Sequence, residues 1–433
     1  MFNGERAFKD LEKLAVEIGP RPGGSEAEDK AVEYIASEFE SLGLETSVQE
    51  FVISSGRVVS KCLKIVEPFE EEIDCEAMTL MGDTGPEGVE GELIYLETTD
   101  EEYLKPDITG KIVITSSFKT KNMGLVSKAK PSGFIRIETY PRVLPKHLWG
   151  DKKRWEKYGN FPTVRISHED GVRLLNSGAK RAKIVVESET MELKSKNVIG
   201  ELEGCEKPDD IIVIGGHYDT VPNVRGASDN AGGTALVLEL ARVFKDKGSK
   251  RTLRFIAWGN EEMGLVGSNH YARSLKEEAE KLKKDKPNDK AELDNIKLAV
   301  NLDVHGALIG TNAAAILGPP ELTTAVKLLS KEVGTVYDVK ETVYSSDGTP
   351  LSSVGVPSVS FSRKAGIDIM MHSTEDTIRW LKPEALQVQG EFVELFLTRY
   401  VAEAAAFPFD REIPDKLQEE IEKYYKDRLR TPP

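Results

Sequence analysis

The stretch from Ile211 to Gly233, IIVIGGHYDTVPNVRGASDNAGG, constrains the fold more than any other part of the chain. Ile211 to Gly215 is short, β-branched and unbroken by polar residues. That is the pattern of a strand buried on both faces, and such strands belong to mostly parallel sheets. The apolar run ends in His217 and Asp219, which lie on one side if the extended backbone continues. Asp229 then returns just before a helix that begins near Gly232. Ionisable groups at the carboxyl end of a buried strand mark a site.

The same alternation continues downstream. Strands are expected at Leu253 to Trp258, Leu298 to Leu302, Ala313 to Leu317 and Val359 to Phe361, and helices at Leu265 to Leu275, Leu322 to Val333 and Pro383 to Ala406. Two amphipathic helices, residues 5–18 and 24–42, and a strand from Leu44 to Ile53 precede them. The turn between those helices, Gly19 to Ser25, reads as an interhelical loop with Ser25 as a helix cap. This pattern predicts an α/β fold with a mostly parallel, mixed sheet sandwiched by helices. From Val58 to Glu189 the texture changes to short strand-like runs separated by Gly, Pro and acidic turns, which predicts an inserted mainly-β domain. At 433 residues the chain exceeds what one core usually fills. The expected division is a main domain of residues 1–57 and 190–410, an insert of residues 58–189 and a helical tail of residues 411–433. Within the insert, Lys121 to Lys130 and Val143 to Tyr158 read as ordinary surface loops rather than a lid. Lys276 to Lys297 reads as a solvated helix end and loop.

Composition narrows the partners. A net charge of −15 argues against nucleic acid or an anionic membrane surface. Three scattered cysteines in no CxxC pattern read as free thiols, with one Cys62–Cys75 pair left open. The opening MFNGERAFKDLEK is charged and has no apolar h-region, and no apolar run reaches bilayer length, so the expected location is cytoplasmic. Homo-oligomerisation is left open.

The chemistry converges on three strand ends. His217, Asp219 and Asp229 follow the first strand, Glu261 and Glu262 follow Trp258, and Asp303 follows Leu302, while His372 arrives from a later loop. In an open parallel sheet these ends face one crevice. Five carboxylates gathered there would repel one another, and divalent cations reverse that cost. Imidazoles with carboxylates suit zinc, with cobalt or manganese feasible, and a shared aspartate can hold two ions about 3.5 to 4 Å apart. His305 reads as a structural group or a contact behind the ligands. His270 reads as packing or surface, and His147 and His168 lie in the insert.

The set His217-Tyr218-Asp219, Gly226 to Asn230, Glu261 to Ser268, Asn301-Leu302-Asp303 and His372 to Thr377 resembles the two-zinc aminopeptidases of peptidase family M28. Residues 191 to about 405 carry the likeness, and Arg21 to Ser25 with its helix resembles the same family. Gly110 to Val113 and Pro162 to Ser167 more loosely resemble a protease-associated domain. The resemblance implies Asp229 as the bridging ligand, with His217 and Asp303 on one metal and Glu262 and His372 on the other. It makes Glu261 the general base, acting on a metal-bound water, and Asp219 the acceptor for the second ring nitrogen of His217. The expected substrate is a peptide, cleaved at its N-terminal bond. Many relatives place a tyrosine near the last histidine, but Met371 stands there here. The oxyanion partner is then the metal alone, or Tyr344 or another hydroxyl. Ser345 to Pro350 lacks the histidine often found after its aspartate. A carboxypeptidase or dipeptidase on the same site, a non-catalytic receptor and a glutaminyl cyclase are the alternative readings.

Overall fold

A computed structural model of the chain describes residues 1–79, 81–141, 152–364 and 371–433. Its first seven strands are β1 (Glu45–Glu67), β2 (Glu71–Ile73), β3 (Glu76–Ala77), β4 (Val89–Tyr95), β5 (Ile112–Thr115), β6 (Gly133–Ile137) and β7 (Thr163–Ile166). The remaining seven are β8 (Arg181–Leu202), β9 (Lys207–His217), β10 (Arg251–Trp258), β11 (Ile296–Leu302), β12 (Thr311–Leu317), β13 (Tyr337–Glu341) and β14 (Ser358–Lys364). The hydrogen-bonded order is β13-β12-β14-β11-β9-β10-β8-β4-β5-β6-β7-β3, with β1 and β2 off this path.

β9 is central to the site because it pairs in parallel with β10 on one side and β11 on the other. Every residue from Ile211 to His217 is buried. The two-residue period divides the strand between two cores. Ile212 and Ile214 join a cluster with Leu236, Leu240 and Phe244 of helix Gly232–Lys247. Ile211 and Val213 join a cluster with Tyr271, Leu275 and Ala279 of helix Val266–Asp285. Helices therefore cover both faces of a mixed, mostly parallel sheet, as the apolar patterning requires.

β1 and β8 form one antiparallel ladder from Glu45↔Glu201 to Glu67↔Arg181. Both are far longer than the runs legible in the sequence. The expected division at 57/58 and 189/190 falls inside this ladder, at Arg57↔Glu189 and Val58↔Ser188. Paired strands make the crossing there, with no polar linker. Beyond it, β4 to β7 pair in parallel, and apolar clusters centred on Ile112, Ile135 and Val164 and on Met123, Phe134 and Phe161 lie on them.

Several local expectations change. Lys121 to Lys130 is not an irregular loop: it holds a 3-10 turn, Thr120–Asn122, and a helix, Met123–Lys128. Met123 and Val126, three apart, supply the buried face in a segment otherwise too polar to show a helical period. Of Val143 to Tyr158, helix Lys152–Tyr158 is described, and the rest, with His147, lies outside the described residues. Helix Val266–Asp285 runs ten residues past its expected end, into the charge run. The final sheet-covering helix stops as Pro383–Leu397 and continues as a π-helical turn, Thr398–Ala402. β13 and helix Gly348–Ser353 were not legible in the sequence.

The tail helix, Asp415–Asp427, buries Leu417, Ile421 and Tyr425 against Leu317. Cys62, Cys75 and Cys205 are free thiols, and burial pushes Cys75 up to about 12. Among the described residues no helix is long and apolar enough to cross a membrane.

Candidate metal centre

The carboxyl ends of β9, β10 and β11 deliver the site. Tight packing fixes the backbone here: a side chain at Gly216 would meet the carbonyl of Leu302, which precedes Asp303. Gly226 opens the following loop at φ +55°, where a Cβ would collide with the Asp229 carbonyl, so glycine is required twice over. Asn230 then clamps the loop to β11: its Nδ2 donates to the Leu302 carbonyl, and its Oδ1 accepts from the Gly233 and Val304 N–H groups.

Two three-residue clusters result, His217 with Asp229 and Asp303, and His372 with Asp229 and Glu262. His217 Nε2 lies 3.1 Å from Asp229 Oδ1 and 3.3 Å from Asp303 Oδ1. His372 Nε2 lies 3.1 Å from Asp229 Oδ2 and 3.1 Å from Glu262 Oε2. Asp229 thus turns one oxygen to each cluster. Glu261 belongs to neither, though its Oε2 is 4.0 Å from His217 Nε2.

Asp219 is fully buried behind this arrangement. Its Oδ1 lies 3.5 Å from His217 Nδ1, which also lies 3.3 Å from the Asp219 carbonyl. The same carboxylate accepts the backbone N–H groups of Glu261, at 2.9 Å, and Glu262, at 3.2 Å. One side chain therefore ties the first histidine to the turn that carries both glutamates.

The electrostatics call for positive charge. Burial acts to lower His217 and His372, yet the carboxylates around them outweigh it and hold both imidazoles well above their ordinary range. Burial pushes Glu261 and Glu262 up. Burial would raise Asp229 too, but hydrogen bonds with the two histidines keep it below the usual carboxylate range. The chain alone gathers protons where cations would otherwise sit. Glu262 Oε1 is a buried acceptor with no hydrogen-bond partner, and Asp303 Oδ1 has none beyond its 3.3 Å approach to His217 Nε2. Orphaned carboxylate oxygens beside imidazole nitrogens fit divalent ions, and three protein ligands per cluster leave the open position of a catalytic site.

Other residues fall in and out of the site. Tyr344 is raised well above its ordinary range by burial and then by the negative charge of Asp303, Asp229 and Glu261. His305 has both ring nitrogens engaged, with Nδ1 at 2.7 Å from Gln389 Oε1 and Nε2 at 3.0 Å from the Phe361 carbonyl, which suits the structural reading. His270 stacks on Phe51, and His168 contacts the Glu138 carbonyl.

Four further acid or base groups, to which the sequence alone assigned no role, are buried in the fold. Asp376 accepts the N–H groups of Ser228 and Asp229, and burial pushes it up to about 7. Asp347 accepts from Ser268 Oγ, and burial pushes it up to about 7. Glu28 accepts from Gly24 N–H, Ser195 Oγ and Tyr218 Oη, and burial raises it to about 7. Arg21, read as part of a loop, is wholly buried, and burial lowers it to about 10. A basic residue between two prolines was the available signal.

Residues 197–397 match the model of peptidase family M28. Aminopeptidase YwaD of Bacillus subtilis is 28% identical over 90% of this chain and 84% of its own length. Carboxypeptidase Q of Bos taurus is 27% identical over 61% of this chain, which spans 60% of that relative. The solved structure of BSAP, a zinc aminopeptidase from Bacillus subtilis, superposes with a TM-score of 0.76 at 26% identity, covering 96% of this chain and 99% of that one.

Proposed function

We propose, from the match of residues 197–397 to the model of peptidase family M28, that the chain is a two-metal aminopeptidase acting on the N-terminal bond of peptides. The observation that carries this reading is the divided carboxylate of Asp229, each oxygen 3.1 Å from the histidine of a different three-ligand cluster. Under this reading His217, Asp229 and Asp303 hold one ion, and Asp229, Glu262 and His372 hold the other. Zinc is the fitting ion, since BSAP is a zinc aminopeptidase. Bound there, two divalent cations supply the charge that acidifies a water and stabilises negative charge on a scissile carbonyl.

The remaining steps belong to the chain. Glu261 takes the proton from the attacking water and returns it to the leaving amine, a task suited to the one clustered carboxylate outside both ligand sets. Tyr344 donates its hydroxyl to the carbonyl oxygen as charge develops, which supplies the contact that Met371 cannot make. Asp219 fixes the His217 ring and holds the Glu261 turn at once. Under this reading residues 1–57 and 190–410 form the catalytic unit and residues 58–189 an insert that resembles a protease-associated domain, with β1 and β8 running from one into the other.

The likeness to Carboxypeptidase Q supports a second reading, hydrolysis from the carboxyl end. Matched peptides blocked at the amino or the carboxyl terminus separate the two when assayed with zinc present. Loss of hydrolysis on amino blocking alone is the expected result, and loss on carboxyl blocking alone would favour the carboxypeptidase.

A further inference from the structure

Arg21 has no exposed surface and touches no carboxylate through its hydrogen bonds. Its guanidinium donates instead to five backbone carbonyls from three separate stretches. Nε donates to the carbonyl of Tyr218 at 2.5 Å, Nη1 to those of Leu14, Gly19 and Arg225, and Nη2 to that of Gly226 at 3.1 Å. The main chain is stitched to the same place, with Arg21 N–H donating to Thr220 Oγ1 at 3.0 Å. Tyr218 separates His217 from Asp219, and Gly226 starts the turn that ends in Asp229.

We propose that Arg21 is a positioning residue for the metal centre, one cation whose planar fork fixes the His217–Asp219 segment against the Gly226–Asp229 loop before any metal binds. Geometry argues for this over simple packing. A buried charge is costly, and an apolar side chain would fill the volume at less cost. Four N–H groups in one plane serve the five converging carbonyls, with one N–H of Nη1 shared between two of them, a fixed fan of donors that arginine has and lysine lacks. Asp219, Asp376, Asp229 and Glu262 all lie within electrostatic reach, so the guanidinium also offsets their mutual repulsion. On the opposite side Asp376 holds the Ser228 and Asp229 N–H groups, and the loop is gripped from both ends.

The inference rests on reading the two clusters as metal sites, and the experiment separates the two claims. Zinc titration of chelator-treated wild type and Arg21→Lys protein gives affinity and stoichiometry, and kinetics at saturating zinc give KM. The expected result for Arg21→Lys is two equivalents bound, an affinity 10- to 100-fold weaker, as when supporting partners of metal ligands are removed, and an unchanged KM. Wild-type affinity in a variant that merely melts earlier would overturn the inference and leave the metal reading intact. A wild type that takes up no zinc would sink the metal reading, and this inference with it. Should Arg21→Lys fail to fold, hydrogen exchange of the metal-free wild type decides. Slow exchange at residues 226–231 is expected, and free exchange there until zinc is added contradicts a loop held in advance.

Discussion

Glu261 and Tyr344 are the two residues whose proposed roles rest on chemistry rather than ligation. Glu261→Gln keeps size and polarity but cannot take a proton. It is expected to lower kcat by about 10²- to 10⁴-fold while metal content stays at the wild-type level. Elemental analysis beside steady-state kinetics checks this, and retained turnover would reassign the base. Tyr344→Phe is expected to lower kcat about 10²-fold with little change in KM, because the hydroxyl acts on charge that develops only in the transition state. At this scale the strand-end groups were readable from residue type and order. The apolar strands announced a buried sheet, and several ionisable groups gathered at their carboxyl ends marked a site. Asp376 and Asp347 were not readable as supports, since each depends on a contact with a segment more than 70 residues away. Arg21 was hidden for the same reason, its partners lying at Tyr218 and Gly226.

Among the elements, the turn after β10 depends on Asp219 for its position. Asp219→Asn retains one acceptor oxygen and places an N–H₂ group against a backbone N–H of Glu261 or Glu262. Metal affinity is expected to fall 10- to 100-fold, measured by competition with a chromophoric chelator. Unchanged affinity would mean that the Glu261 turn holds itself. Helix and strand identities followed from apolar patterning where burial is extensive, as in β9, covered on both faces, and helix Gly232–Lys247. They failed where length is set by a partner. β1 and β8 extend each other through residues with no apolar alternation, such as Glu187 to Lys194, because the ladder's hydrogen bonds run on without a buried face.

At the scale of the whole molecule, the buried acids make stability depend on pH in a direction opposite to the common one. Glu28, Asp347 and Asp376 all sit near 7 in the fold, above their ordinary values. Each is protonated in the folded chain and ionised in the unfolded chain between those limits. The stabilisation is therefore complete below the unfolded pKa and lost as pH rises through about 7. Glu28 alone contributes on the order of 3 kcal/mol to that change. Denaturant unfolding in excess chelator is expected to give lower stability at pH 8 than at pH 5, and a flat or rising profile would contradict these burials. The general architecture was legible because alternating buried strands and amphipathic helices admit few arrangements. The position of the insert relative to the strand ladder was not, since pairing between β1 and β8 is non-local.

The account stands on Asp229 serving two ions at once. Zinc titration of chelator-treated protein, followed by calorimetry and by recovered peptidase activity, tests this most directly. The account predicts two equivalents per chain in the wild type, and Asp229→Ala protein that retains neither. Full activity at one equivalent, with no second ion taken up, would contradict it.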